Sequence, residues 1–92
     1  MIEIPYAVGE DANEPTYYLF RNGEVDASEI IDLYGEDIAS DYYRNRDGWE
    51  DSWPVLFKIF DADWKVIETF EVSKDLQPEF ENPMRLVFKV SQ

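Results

Sequence analysis

Residues 26–44 run Asp26-Ala27-Ser28-Glu29-Ile30-Ile31-Asp32-Leu33-Tyr34-Gly35-Glu36-Asp37-Ile38-Ala39-Ser40-Asp41-Tyr42-Tyr43-Arg44. Apolar residues recur at 27, 30, 31, 34, 38 and 42, the spacing of one stripe on a helix of 3.6 residues per turn. Asp26 stands where a side chain caps unbonded N–H groups, and Glu29 follows three residues later as in a capping box. Early acids complement the positive end of the helix dipole, and Arg44 and Arg46 complement the negative end. Asp47-Gly48 is the expected stop. Gly35 falls inside the pattern, where glycine costs about 1 kcal/mol relative to alanine. It marks a kink or a close approach to whatever the helix packs on.

The flanks of this helix are β-like. Ile2, Ile4, Tyr6 and Val8 alternate as a short strand, and Pro5 assigns it to a sheet edge, because proline lacks the N–H a central ladder uses. A loop at 9–15 precedes Thr16–Arg21, a β-branched and aromatic strand, and Asn22-Gly23 is a turn after which Glu24-Val25 returns briefly as a hairpin arm. Beyond the helix, Trp53–Phe60 is a strand with Val55, Phe57 and Ile59 on one face. Asp61–Trp64 turns the chain, and Lys65–Val72 returns with Val66, Phe70 and Val72 sharing a face. A loop spans Ser73–Pro83, and Pro83–Val90 ends the fold with Leu86, Phe88 and Val90 inward. The order β, β, α, β, β, β buries every stripe if the strands form an antiparallel sheet with the helix across one face. The expected fold is therefore α+β, a sheet of four to five strands under one amphipathic helix, in a single domain over residues 1–92.

Composition limits what such a domain does. An apolar content of 45% and fifteen aromatics argue for a packed core despite heavy charge. The chain has no cysteine and no histidine. Disulfides, thiolate metal sites and the commonest general base are thereby removed. Asp61-x-Asp63 resembles the start of a calcium loop, but Lys65, Val66 and Val72 occupy positions that need an oxygen ligand, a glycine and a glutamate. The five serines lack a histidine base, and no glycine-rich phosphate loop occurs. We expect no enzyme activity and no cofactor. No apolar run approaches the ~18 residues of a membrane span, and no basic-then-apolar leader opens the chain, so a cytoplasmic protein is expected.

Charge gives the direction to a partner. The net charge is −13, and residues 1–52 hold 14 acids against three bases while residues 53–92 hold seven against five. Between Arg21 and Arg44 lie Glu24, Asp26, Glu29, Asp32, Glu36, Asp37 and Asp41, with no base among them. On a helix Glu29, Asp32 and Glu36 form one row, and Asp37 and Asp41 a second. Their steps rise about 4.5–6 Å, against ~3.4 Å between phosphates along one DNA strand. Such a chain is repelled by nucleic acid and attracted to basic proteins. A solvated acidic face that only keeps the protein soluble, or adaptation to high salt, would produce the same count. Among the aromatics, Trp49 and Trp64 lie in expected loops beside charges and suit protein contact, whereas Trp53 with Tyr42 and Tyr43 suits core closure.

The length, the charge, the missing cysteine and histidine and the acidic segment Glu24–Asp41 resemble small acidic inhibitors of phages and mobile elements, including DNA-mimic antirestriction proteins and anti-CRISPR proteins. The resemblance carries no shared motif and no shared fold. It implies a non-enzymatic protein, monomer or dimer, that occupies the basic, nucleic-acid-binding surface of a partner and does not itself bind nucleic acid or membrane. Glu29, Asp32, Glu36, Asp37 and Asp41 would meet the partner's cations, with Glu50 and Asp51 extending the patch and Trp49 anchoring it. The alternative is a small host accessory domain that associates through a sheet edge, its acidity serving solubility.

Overall fold

The stripe expected at 30–42 becomes the buried side of a helix. In the computed structural model, which describes residues 1–24, 26, 29–77 and 85–91, the elements are β1 (Ile2–Val8), β2 (Tyr17–Arg21), α1 (Ile30–Asn45), a 3-10 turn (Gly48–Glu50), β3 (Val55–Phe60), β4 (Val66–Gln77) and β5 (Arg85–Ser91). The strands form one antiparallel sheet in the order β2-β1-β3-β4-β5. Helix α1 lies across one face, as expected, and buries Ile30, Ile31, Gly35, Ile38, Ala39 and Tyr42. Opposite them stand Ile4, Tyr6 and Leu19 of β1 and β2, Val55, Phe57 and Ile59 of β3, Phe70 and Val72 of β4 and Phe88 of β5. Phe57 is the hub of this core. Its ring stacks on Phe70 at 5.5 Å, meets Tyr42 edge-on at 5.6 Å and lies 6.1 Å from both Tyr6 and Trp53. Each favourably oriented ring pair adds about 0.5–1.5 kcal/mol beyond its buried area.

Gly35 makes the close approach. A Cβ there would stand 3.0 Å from Val90 Cγ2, so the missing side chain lets the helix settle against β5. The second important glycine is Gly48, where a Cβ would come within 2.7 Å of the Tyr42 carbonyl oxygen and 2.5 Å of its ring. Chain reversal after α1 falls to Asp47, in the left-handed region at φ 58°.

Several local expectations are corrected. Helix α1 begins at Ile30 rather than Asp26, and the residue before it, Glu29, has no side-chain capping bond. The Glu29 N–H, which a capping box would give to the Asp26 carboxylate, donates instead to the Asp26 backbone carbonyl at 2.9 Å, closing a tight turn. Ala27 and Ser28 lie outside the described residues. No hairpin arm forms at Glu24, and Val25 lies outside the described residues; Gly23 (φ 113°) turns the chain from β2 toward the helix, and β2 pairs with β1.

Strand β1 is not an edge. It sits between β2 and β3, but its ladder to β3 covers only Tyr6–Val8. Tyr6 O accepts from Thr16 N, beside β2, while Gly9 N donates to Leu56 O of β3. Alternation then points the Pro5 nitrogen toward β3 just past the end of that ladder, where no hydrogen bond is lost. Strand β4 continues to Gln77, five residues beyond the expected end, because β5 pairs with it from Glu71 to Gln77. A bulge between Ile59 and Phe60 shifts the register there, leaving Val66 exposed and Ile67 against the core. On the sheet's other face Lys58 donates to the carbonyls of Glu10 (2.5 Å) and Ala12 (2.9 Å), tying the 9–16 loop over the buried Ala7.

Candidate interaction face on the acidic helix

The two acidic rows of α1 have different fates, set by their angle from the buried stripe. Glu29, Asp32 and Glu36 lie on the side away from the core and all three are exposed. From Glu29 to Glu36 the row spans about 10 Å. Leu33 stands beside it, 56% exposed, an apolar residue off the stripe. An open groove of about 510 Å³ runs here, lined by Ile31, Asp32, Leu33, Glu36, Asp37 and Val90.

The second row is turned toward β1 and β2 and is engaged by the fold. Asp37 accepts from Arg21 Nε at 3.3 Å. Asp41, with 12% of its side chain exposed, accepts from Tyr6 Oη at 2.5 Å and Asn45 Nδ2 at 2.9 Å, and pairs with Arg46 Nε at 3.6 Å. The Arg46 guanidinium also lies over the Tyr17 ring, 5.2 Å from its centroid. Burial pushes the Tyr6 hydroxyl well above the usual phenol range, and the hydrogen bond to Asp41 and its negative charge push it further. Asp51 has a comparable role at the end of the helix. It accepts from Tyr42 Oη, whose ionisation is likewise raised, first by burial and then by that bond and charge.

Trp49 is 54% exposed and Glu50 is exposed, both in the 3-10 turn beyond the helix C-terminus. Glu36 and Asn45 are about 13 Å apart along the axis, with the exposed Arg44 near the far end. Trp49, Glu50 and Asp51 thus follow the C-terminal end of α1, while Glu29, Asp32 and Glu36 stand at its N-terminal half. Trp64, 53% exposed with φ 63°, sits at the β3–β4 turn, where Asp61 Oδ1 accepts from the backbone N–H groups of Asp63 and Lys65. That is the turn the sequence predicted. Trp53 is part of the core rim, its Nε1 donating to Gly48 O at 3.0 Å.

Several of the cations are already engaged within the fold. Arg21, Arg46 and Lys58 are engaged as described, Lys89 pairs with Asp75 at 3.0 Å, and Lys74 lies 5.0 Å from the Tyr43 ring centroid. Among the described residues none of these reaches Glu29, Asp32 or Glu36. The residues that sequence reasoning passed over are Leu33 and Val90. Leu33 had a legible signal, an apolar side chain on the charged side of the helix, whereas Val90 enters only because β5 is packed there.

Among the described residues no three carboxylates converge as a metal site needs, and no helix is long and apolar enough to cross a membrane. Comparisons with known protein families, with characterised proteins and with solved structures give no match.

Proposed function

We propose that this protein is a non-enzymatic inhibitor or regulator that occupies the basic, nucleic-acid-binding surface of a partner protein through the outward face of α1. The observation that supports it is the Glu29–Asp32–Glu36 row, exposed at the start of α1 and without a basic neighbour among the described residues. A row only about 10 Å long supplies few contacts. Its main effect is on encounter, since complementary fields accelerate association more than they deepen affinity. Asp37, Asp41 and Asp51 contribute to the field while their carboxylates serve the fold. Trp49 and Glu50 form a second contact at the other end of the helix.

The test uses Asp32→Lys with Glu36→Lys. Both positions are exposed, so circular dichroism and melting stay close to wild type. Partners captured from lysate at low salt are eluted by salt and assayed for nucleic-acid binding with and without the chain. The double variant slows association, and the difference shrinks as ionic strength rises from about 50 to 200 mM. Binding that is indifferent to salt, or a captured partner that still holds nucleic acid beside this chain, defeats the proposal.

A second reading, an accessory domain that associates through a sheet edge, is favoured by β2. It is an outer strand, and its Phe20 is 50% exposed. A dimer whose formation Phe20→Ser abolishes, with the acidic row unaffected, would replace the first reading.

A further inference from the structure

Asn22 and Gly23 are both exposed, in the turn that carries the chain from β2 toward the helix. Space around Gly23 is open. Beyond its chain neighbours, a Cβ there would meet only the Tyr34 hydroxyl oxygen, at 3.9 Å. An asparagine or aspartate followed by glycine is the pairing most open to attack of the backbone on the side chain. Glycine has no Cβ to hinder its nitrogen, and its free φ and ψ let that nitrogen reach the preceding Cγ. The chain has a second pairing of this type, Asp47-Gly48, and the fold treats it differently. Gly48 is buried, and a Cβ on it would stand 2.5 Å from the Tyr42 ring. Its carbonyl accepts from Trp53 Nε1 and from Asp51 N, both at 3.0 Å, and Asp47 O accepts from Glu50 N at 3.1 Å. That segment has neither the room nor the freedom to close a ring.

We propose that Asn22 is a site of spontaneous conversion to aspartate and isoaspartate, and that the fold withholds position 47 from the same reaction. The Gly23 amide nitrogen gives its proton to solvent base and attacks Cγ of the Asn22 carboxamide. A new C–N bond closes a succinimide, the old Cγ–N bond breaks, and ammonia leaves with a proton from solvent. Water then opens the ring at either carbonyl, leaving aspartate or isoaspartate. The seven carboxylates between Arg21 and Arg44 become eight. The isoaspartyl product also adds a methylene to the backbone where Asn22 O accepts from Tyr34 Oη at 3.4 Å.

The experiment ages two full chains, wild type and Asp47→Asn, at mildly alkaline pH, each native and in urea. Asp47→Asn places the same carboxamide before Gly48, and asparagine tolerates the left-handed conformation found there; circular dichroism checks its fold. Isoelectric focusing counts the acidic products, and tandem mass spectrometry of digests places each on its residue. In the native variant, position 22 is expected to convert about tenfold faster than position 47 or more, a barrier difference of about 1.4 kcal/mol. In urea the two rates should converge. Equal rates at 22 and 47 in the native variant overturn the protection. A native wild-type Asn22 that converts no faster than Asn13 or Asn45, which precede Glu14 and Arg46 rather than glycine, overturns the site.

Discussion

Asp41→Ala separates an acid that holds the fold from an acid that faces a partner. The Tyr6 side chain is fully buried and its hydroxyl donates to Asp41 at 2.5 Å. Removing the carboxylate leaves that hydroxyl in the core without its acceptor, which costs about 1–3 kcal/mol. The bonds from Asn45 and Arg46 lie nearer solvent and add about 0–1 kcal/mol between them. The expected loss is therefore about 1–4 kcal/mol, out of a total of roughly 5–14 kcal/mol for a domain of this size. In melting temperature this is a fall on the order of 4–30 °C. Asp32→Ala is the control. It loses a favourable position in the first helical turn, worth about 0.3–1 kcal/mol, and relieves repulsion from Glu36 of about 0.2–0.5 kcal/mol. Alanine's helix propensity covers the remainder, so Asp32→Ala stays within about 0.5 kcal/mol of wild type. Urea unfolding followed by circular dichroism measures both. In a Tyr6→Phe background, where the buried donor is gone, Asp41→Ala should cost less than about 1 kcal/mol, which isolates the pair. An Asp41→Ala variant as stable as wild type, or an undiminished effect in the Tyr6→Phe background, refutes the assignment of Asp41 to the fold.

Alkaline pH should unfold the protein through Tyr6 and Tyr42. Both phenols are raised by burial, so the folded state resists losing their protons, and stability present below about pH 10 falls as pH climbs above it. Tyr6→Phe shallows that decline, and an alkaline unfolding curve that Tyr6→Phe leaves unmoved would contradict it. Gly48→Ala forces a methyl onto the Tyr42 carbonyl and ring and should cost about 1–3 kcal/mol in urea, whereas a neutral result would show that the turn yields freely. Lys58→Met keeps the stem but loses the donors to Glu10 O and Ala12 O, so limited proteolysis should cut the 9–16 loop faster; an unchanged rate would deny it the role of tether.

Periodicity carried most of the architecture, because α1 and β3 each bury one face and their apolar residues recur at the spacing that face requires. The stripe at 30, 31, 34, 38 and 42 and the triplet Val55, Phe57, Ile59 were legible for that reason. Features that depend on a neighbouring strand were not. Pro5 indicated an edge by its missing N–H, but the ladder to β3 stops one residue short of it. Ser73–Gln77 has a loop-like composition and is strand because β5 supplies hydrogen bonds along its length. The Asp26–Glu29 capping signature was real as a pattern, yet a backbone carbonyl took the N–H it needed.

The candidate face divides in the same way. The sequence by itself determined that seven carboxylates and no base lie between Arg21 and Arg44, and that the helix carrying most of them is amphipathic. Charge count and periodicity are properties of the chain alone. Tertiary structure alone decided which of those charges are offered outward. Arg21, Tyr6 and Arg46 converge on Asp37 and Asp41 from β1, β2 and the end of the helix, while nothing described converges on Glu29, Asp32 and Glu36. The physical reason is the angle around the helix. Asp41, 12% exposed, borders the buried stripe, where a carboxylate must be hydrogen-bonded to be tolerated; Asp37, 46% exposed, is engaged because Arg21 of β2 reaches it, whereas the Glu29–Glu36 row is turned to water.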